Sequence, residues 1–462
     1  MARDARVTAA TATEAQLHPE HRTTTLTTSG GAPGLRVVTE RMPSVRSTAL
    51  GFWIATGSAG ERAEQAGISH LLEHMLFRGT ASFGSREIDE IFDAMGADVN
   101  AGTDKEATSV YTRVLDRHLH RAFDVIGEMV FQPRFEELET EREVVLEEIA
   151  MYEDDPQEKV FDVLGEAVFG AHPLGRAVIG TAQVVGAVTR EQLGAFHDER
   201  YRPEDIVIAA AGSIEHDELV AIARELKIPD ASAAARAHRP LPAPDFARRV
   251  RFLQKDTEQY HLCLGGGGLA REDERRFALR VLEGVLGGTS SSRLFQEVRE
   301  RRGLAYSVFC FSNLYAHTGE VGLYVGTRPE NLAQALSVIA AELERFVGAP
   351  ATEQELTRSR ENLKGRVVLS MESTAARMSH LGASLLNGMP ILSIDEVIER
   401  IDAVRLADLQ ALAQELFAPE LLSVACVGPD ERAFEDAIAP LVSRGGADAA
   451  APAAALAPGA AR

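Results

Sequence analysis

Gly67-Ile-Ser-His-Leu-Leu-Glu-His-Met-Leu-Phe77 is the stretch on which the reading of this chain turns. His70 and His74 stand four residues apart with Glu73 directly before the second histidine. On an α-helix, positions i and i+4 share a face, so both imidazoles can address one metal ion, and Glu73 lies on the same side. The pattern is H-x-x-E-H, the inverse of the commoner zinc-peptidase H-E-x-x-H. Taken by itself it could also be an ordinary polar helix face.

A catalytic zinc commonly takes three protein ligands and keeps one position open. The third ligand is expected on another element. Phe135-Glu-Glu-Leu-Glu-Thr-Glu-Arg-Glu-Val-Val-Leu-Glu-Glu-Ile-Ala-Met151 reads as a second helix, acidic on one side and apolar on the other. Glu141 and Glu148 are two turns apart and share a face, whereas Glu147 sits about 100° round from Glu148. The alternative is a plain solvated acidic helix.

His70-Leu-Leu-Glu-His-Met-Leu-Phe-Arg-Gly-Thr80, followed by Glu141-Arg-Glu-Val-Val-Leu-Glu-Glu-Ile149, resembles the pitrilysin and mitochondrial processing peptidase family of inverted-motif zinc peptidases. The resemblance runs from about Thr24 to Gly428. It implies one Zn2+ per chain held by His70, His74 and Glu148, with Glu73 as general base and Glu141 as a supporting carboxylate beside the metal. It also implies that Asn100, Ala101, Gly102 and Thr103 form an edge strand that pairs with substrate by β-augmentation. A simple turn between two strands is the competing reading of those four residues.

The second half of the chain repeats the first. Leu72-Glu-His-Met-Leu-Phe-Arg-Gly-Thr80 is echoed by Leu282-Glu-Gly-Val-Leu-Gly-Gly-Thr289 with one residue dropped. Leu119, Ala122, Phe123, Val125 and Ile126 recur at constant offset as Leu332, Ala335, Leu336, Val338 and Ile339, and Leu138 recurs as Leu356. Helix-period apolar positions kept in both copies imply one fold built twice. The chemistry is not duplicated: Arg280 and Gly284 replace the histidines, and Arg366 replaces Glu148. In exchange, Val298-Arg-Glu-Arg-Arg-Gly-Leu-Ala-Tyr306 carries Arg299 and Tyr306, where the first copy has Phe92 and Val99. In the family such a pair binds the substrate backbone and steadies the oxyanion, work suited to a forked guanidinium and a phenol donor.

The expected class is α+β, with two homologous domains. Each is a mixed, mostly antiparallel sheet with helices packed mainly on one face. The expected boundaries are a disordered 1–21, a metal-binding domain over 22–226, an Ala/Pro-rich linker over 227–249, a metal-free domain over 250–440, and a low-complexity tail over 441–462. Gly265–Gly268 lacks the Lys-Ser/Thr of a phosphate loop and reads as a strand end or turn. Gly287-Gly-Thr-Ser-Ser-Ser292 is short where non-catalytic processing-peptidase subunits carry a long glycine-rich loop. His172-Pro-Leu-Gly-Arg176 resembles a family segment without assignable chemistry.

The net charge of −21, from 48 basic and 69 acidic residues, argues against nucleic-acid binding and is compatible with cationic peptide substrates. Cys263, Cys310 and Cys426 sit singly in apolar surroundings and read as buried reduced thiols. No stretch is long enough to span a bilayer, and the N-terminus lacks the apolar run of a signal peptide. A bacterial cytoplasmic location is expected, with the mitochondrial matrix as the alternative.

The functional expectation is a zinc endopeptidase acting on peptides or unfolded precursor segments. Its larger relatives carry four such domains, so a two-domain chain with both signatures is expected to form a homodimer completing the active site across the interface. The competing expectation is a non-catalytic or partner-dependent subunit of a processing-peptidase-like assembly.

Overall fold

The computed structural model describes residues 20–27, 33–228, 241–349 and 351–442. Most of the expected disordered start, residues 229–240 of the linker and residues 443–462 of the tail lie outside these. Within them, His21 already opens the first strand, and Glu431–Val442 is the last helix.

Two compact units are present. One takes the described residues of Met1–Val145, Val178–Arg239 and Arg366–Ile398; the other takes those of Leu146–Ala177, Pro240–Gly365 and Glu399–Arg462. The first holds a six-stranded sheet: β1 (His21–Thr27), β2 (Pro33–Arg41), β3 (Ser47–Ile54), β4 (Val99–Thr103), β5 (Thr108–Leu115) and β6 (Ile206–Gly212), in the spatial order β1-β2-β6-β3-β5-β4. The second holds a five-stranded sheet: β7 (Val250–Gln254), β8 (Tyr260–Gly268), β9 (Ala305–Leu314), β10 (Gly319–Thr327) and β11 (Ser423–Gly428), ordered β7-β11-β8-β10-β9. Without β1, the two orders are the same permutation. In each sheet one pair is parallel, β2 with β6 and β7 with β11, and every other pair is antiparallel. The duplication seen in the sequence is therefore a duplication of topology, in the α+β class expected.

The central strands show why both sheet faces must be covered. Ile206-Val-Ile-Ala-Ala-Ala-Gly212 and Ser423-Val-Ala-Cys-Val-Gly428 are buried at every position, as a strand sandwiched between two layers requires. In the first unit, Phe52 of β3 meets Phe123 of the helix Leu119–Phe131, with ring centroids 5.4 Å apart. The alternate residues, Val207, Ala209 and Ala211 of β6 with Ala49 of β3, pack instead against Met378 and Leu381. Those two come from Thr374–Leu386, a helix of the second half of the sequence.

In the second unit, Pro156–Phe169, a helix of the first half of the sequence, lies on β11 and β8 in the matching way. A Cβ on Gly265 would touch Leu164 at 3.1 Å, and Phe161 stacks beside Phe309 and Tyr324. The two helices are repeat equivalents. The compact units thus differ from the contiguous 22–226 and 250–440, because each sheet takes the covering helix that follows the long helix of the other copy. Amphipathic periodicity shows that such a helix has a buried face but not which sheet buries it.

The unassigned His172–Arg176 segment is structural. His172 donates from Nε2 to the Pro242 carbonyl at 2.9 Å and accepts from the Leu174 N–H at Nδ1. Gly175 lies against Gly165 of the covering helix, where a Cβ would meet the Gly165 carbonyl at 2.8 Å. The glycine run 265–268 ends β8, and all three cysteines are free and buried. No helix among the described residues is long and apolar enough to cross a membrane.

The packing of Thr374–Leu386 carries a direct test. A Cβ on Gly382 would stand 2.2 Å from Trp53 Nε1, which itself donates to Met378 Sδ at 3.4 Å. Glycine to alanine in an exposed helix gains about 1 kcal/mol, whereas overpacking a core costs roughly 1–3 kcal/mol. Gly382→Ala is therefore expected to lower the denaturation midpoint, read from the fluorescence of Trp53, the only tryptophan. A raised midpoint would show that this helix does not lie on the first sheet.

Candidate metal centre

The motif forms the eight-residue helix Ile68–Met75. Ile68, Leu71, Leu72 and Met75 turn inward and are buried, which fixes the roll of the helix and leaves His70 and His74 on its other side. Their ring centroids are 4.7 Å apart. The acidic stretch forms the continuous helix Leu138–Asp154, which anchors Leu138, Glu141, Val145 and Ile149 inward at helical spacing. The boundary of the two units falls within this helix, after Val145, and the helix passes through it unbroken.

His70, His74 and Glu148 each present one ligand atom, and these lie within 4.8 Å of one another. They are the one such group among the described residues. Of the two glutamates that the sequence offers, Glu148 enters the group, whereas Glu147 faces solvent. Zinc bonds to N and O of about 2.1 Å place tetrahedral donors roughly 3.4 Å apart, so small side-chain adjustments close the set on an ion. Two imidazoles and a carboxylate are a borderline-to-hard donor set suited to a divalent transition metal.

The surroundings prepare these donors. His74 donates from Nδ1 to Glu141 Oε1 at 2.7 Å, which leaves Nε2 as its metal-facing nitrogen. The other Glu141 oxygen forms an ion pair with Arg78. Burial pushes the Glu141 carboxyl up, but the hydrogen bonds from His74 and Arg78 and the Arg78 charge outweigh it and hold it below its usual range. Burial, and then the neighbouring His74, lower His70 to about 4, so its ring is neutral with a lone pair to donate near neutral pH. Glu73 is 9% exposed, and burial together with its charge raises the Tyr201 phenol above its ordinary value. Arg78 and Tyr201 were not visible as site residues in the sequence. Arg78 lies within the quoted stretch 70–80 but carried no role there, and Tyr201 is brought to the helix by the fold alone.

Asn100–Thr103 lies in β4, which among the described residues is an edge strand paired with β5 alone, and it packs beside the motif helix. The turn reading of these residues is replaced by a strand with one open edge. In the second unit, the Arg299 guanidinium stacks between the rings of Phe295 and Tyr306, at 4.7 and 4.4 Å, and donates from Nη1 to the Tyr306 carbonyl at 3.1 Å. Tyr306 is 77% exposed at the start of β9, also an edge strand.

The equivalent positions of the second copy are filled differently. At the His74 position, a Cβ on Gly284 would lie 2.3 Å from Ser359 Oγ, and Ser359 is the repeat equivalent of Glu141. Its hydroxyl donates to the Val281 carbonyl at 2.7 Å. Glu283, the equivalent of Glu73, is buried and forms an ion pair with Arg280 at 3.5 Å, where the first copy has His70. The equivalents of His74 and Glu141 are thus a glycine and a serine packed against each other.

Residues 36–182 match the family described as Insulinase (Peptidase family M16), and residues 187–363 match the Peptidase M16 inactive domain. An uncharacterized zinc protease of Mycobacterium leprae is 41% identical over 391 residues, covering 83% of this chain and 87% of that protein. The uncharacterized zinc protease YmxG of Bacillus subtilis is 40% identical over 398 residues, covering 86% and 96%. The fold is shared with the crystal structure of a protease from Helicobacter pylori, at a TM-score of 0.82 and 22% identity over 89% of this chain and 100% of that one. A peptidase M16 inactive domain from Pseudomonas fluorescens gives a TM-score of 0.78 at 24% identity, covering 88% and 98%. With relatives at this identity aligned over most of both lengths, and a topology common to the solved structures, the chain belongs to the insulinase-like peptidase family M16.

Proposed function

We propose that this chain is a zinc-dependent endopeptidase that hydrolyses peptides or unfolded precursor segments. The observation that carries the reading is the group of His70, His74 and Glu148, whose donor atoms lie within 4.8 Å of one another beside the buried Glu73. The names of the bacterial relatives support zinc as the metal, held by these three residues in each chain. Bound zinc supplies Lewis acidity, polarising the scissile carbonyl and acidifying a neighbouring water.

The chain's own groups do the rest. Glu73 accepts the proton of the attacking water and delivers it to the leaving amine. Glu141 holds the His74 ring in one tautomer and orientation through their hydrogen bond. The open edge of β4, with Asn100, Ala101, Gly102 and Thr103, pairs with an extended peptide through main-chain groups without reading its side chains. Arg299 grips substrate carbonyls, and the Tyr306 hydroxyl donates to the developing oxyanion.

In this reading the pair comes from a second copy of the chain in a homodimer. The acidic net charge favours cationic peptides, and the setting is the bacterial cytoplasm. The loss of donors in the second copy favours a non-catalytic subunit only for that half, since the first half keeps a full set.

Two experiments test the reading. Glu73→Gln is expected to retain one zinc per chain by elemental analysis and to lose ~10²–10⁴-fold in peptide hydrolysis; undiminished activity would remove Glu73 from the mechanism. Equimolar mixing of Glu73→Gln with Arg299→Ala subunits leaves one intact site in each hybrid dimer. With random pairing, about a quarter of wild-type activity should return. Hybrids that form and stay inactive would rule out sharing of the site between copies.

A further inference from the structure

We infer that Glu61 is a positioning residue of the metal centre, clamping the N-terminus of the motif helix and offsetting its positive end beside His70. The inference rests on the reading of His70, His74 and Glu148 as metal ligands. The motif helix has only eight residues, so its unsatisfied first-turn N–H groups are a large share of its backbone bonding. Its N-cap, Gly67, has φ 96° and no side chain to cap with. Nor could another residue supply one: a Cβ at 67 would stand 2.6 Å from the Ile179 carbonyl and 2.9 Å from Gly180 Cα, in a backbone conformation that side chains resist.

The cap comes from six residues upstream. Glu61 Oε2 accepts from the Gly67 N–H at 2.9 Å, and Oε1 accepts from the Ser69 N–H at 2.8 Å. The carboxylate is buried, with Glu61 5% exposed. It is held by the tight turn Ser58–Gly60, which the Glu61 N–H closes on the Ser58 carbonyl. That turn is hydrogen-bonded through Ser58 and Ala59 to the carbonyls of Asp104 and Lys105, directly after β4. One carboxylate therefore ties the start of the ligand helix to the end of the edge strand.

Two effects on the metal follow. The clamp fixes where the helix begins, and His70 is the next residue after Ser69. The helix N-terminus also carries about half a positive charge, which opposes a dication one turn away, and a carboxylate at that end offsets it. The second copy keeps one half of the arrangement. At the start of its helix Arg276–Leu286, Asp273 Oδ1 accepts from the Arg275 N–H at 2.8 Å, while the same carboxylate is also engaged by the Arg275 guanidinium. Glu61, in contrast, spans two N–H groups.

The test uses the full chain and zinc itself. Glu61→Gln keeps the shape but removes the charge and turns one acceptor into an N–H2 group facing an N–H. Its zinc dissociation constant, from chelator competition at a temperature where Trp53 fluorescence reports folded protein, is expected to rise ~10–100-fold. Gly382→Ala, destabilised where the helix Thr374–Leu386 packs on Trp53 of β3, should bind zinc like the wild type. That contrast separates positioning from a general loss of stability. If Glu61→Gln does not fold, Glu61→Asp keeps the charge but cannot span both N–H groups, and a smaller weakening in the same direction is expected. Zinc binding within twofold of wild type in the folded variant overturns the inference and leaves the proposed function standing. A wild-type chain that binds no zinc overturns both.

Discussion

Two helices from distant stretches of sequence must present their polar faces to one point, and the hydrogen bond from His74 Nδ1 to Glu141 at 2.7 Å is where they meet. Each helix can do so only because buried apolar residues anchor it: Ile68, Leu71, Leu72 and Met75 on the far side of one, and Leu138, Val145 and Ile149 flanking the buried Glu141 on the other. Apolar burial sets the roll of each helix, and roll decides where imidazole and carboxylate point. Glu141 then serves twice, accepting from His74 with one oxygen and pairing with Arg78 through the other, so its charge is balanced next to the candidate donor set. The candidate centre draws two donors from its first helix and Glu148 from the second.

Duplication followed by divergence explains the remaining architecture. Both halves keep the same strand permutation and the same covering helix, but the second copy fills the ligand position with Ser359 against Gly284 and an Arg280–Glu283 ion pair. Breaking one member of a buried polar pair is costly, because the other is left unsatisfied. Joint replacement of the His74 and Glu141 equivalents avoids that cost. The freed copy carries instead the stacked Arg299 and Tyr306 on an edge strand.

What was legible in the sequence follows from the range of the physics involved. The helical spacing of His70, Glu73 and His74 and the shared face of Glu141 and Glu148 are local, and the structure brings four of these five into the ligand group or its support, with Glu73 buried beside them. The repeat revealed one fold built twice, because apolar periodicity survives where chemistry does not. The exchange of Pro156–Phe169 and Thr374–Leu386 was invisible, since nothing in an amphipathic helix names the sheet it covers. Glu61 and Tyr201 were likewise hidden: one caps backbone groups six and eight residues on, and the other approaches Glu73 from the end of the helix Arg190–Arg200. The segment His172–Arg176, which carried no assignable chemistry in the sequence, packs in the fold with its histidine holding the Pro242 carbonyl.

The most direct measurement is zinc-edge X-ray absorption on the stoichiometrically loaded protein, with Glu148→Gln beside it. The account predicts only nitrogen and oxygen neighbours at about 2.0–2.2 Å, two of them imidazole, and a changed coordination shell or loss of metal in the variant. A sulfur neighbour near 2.3 Å, or a spectrum that the variant leaves untouched, would contradict it.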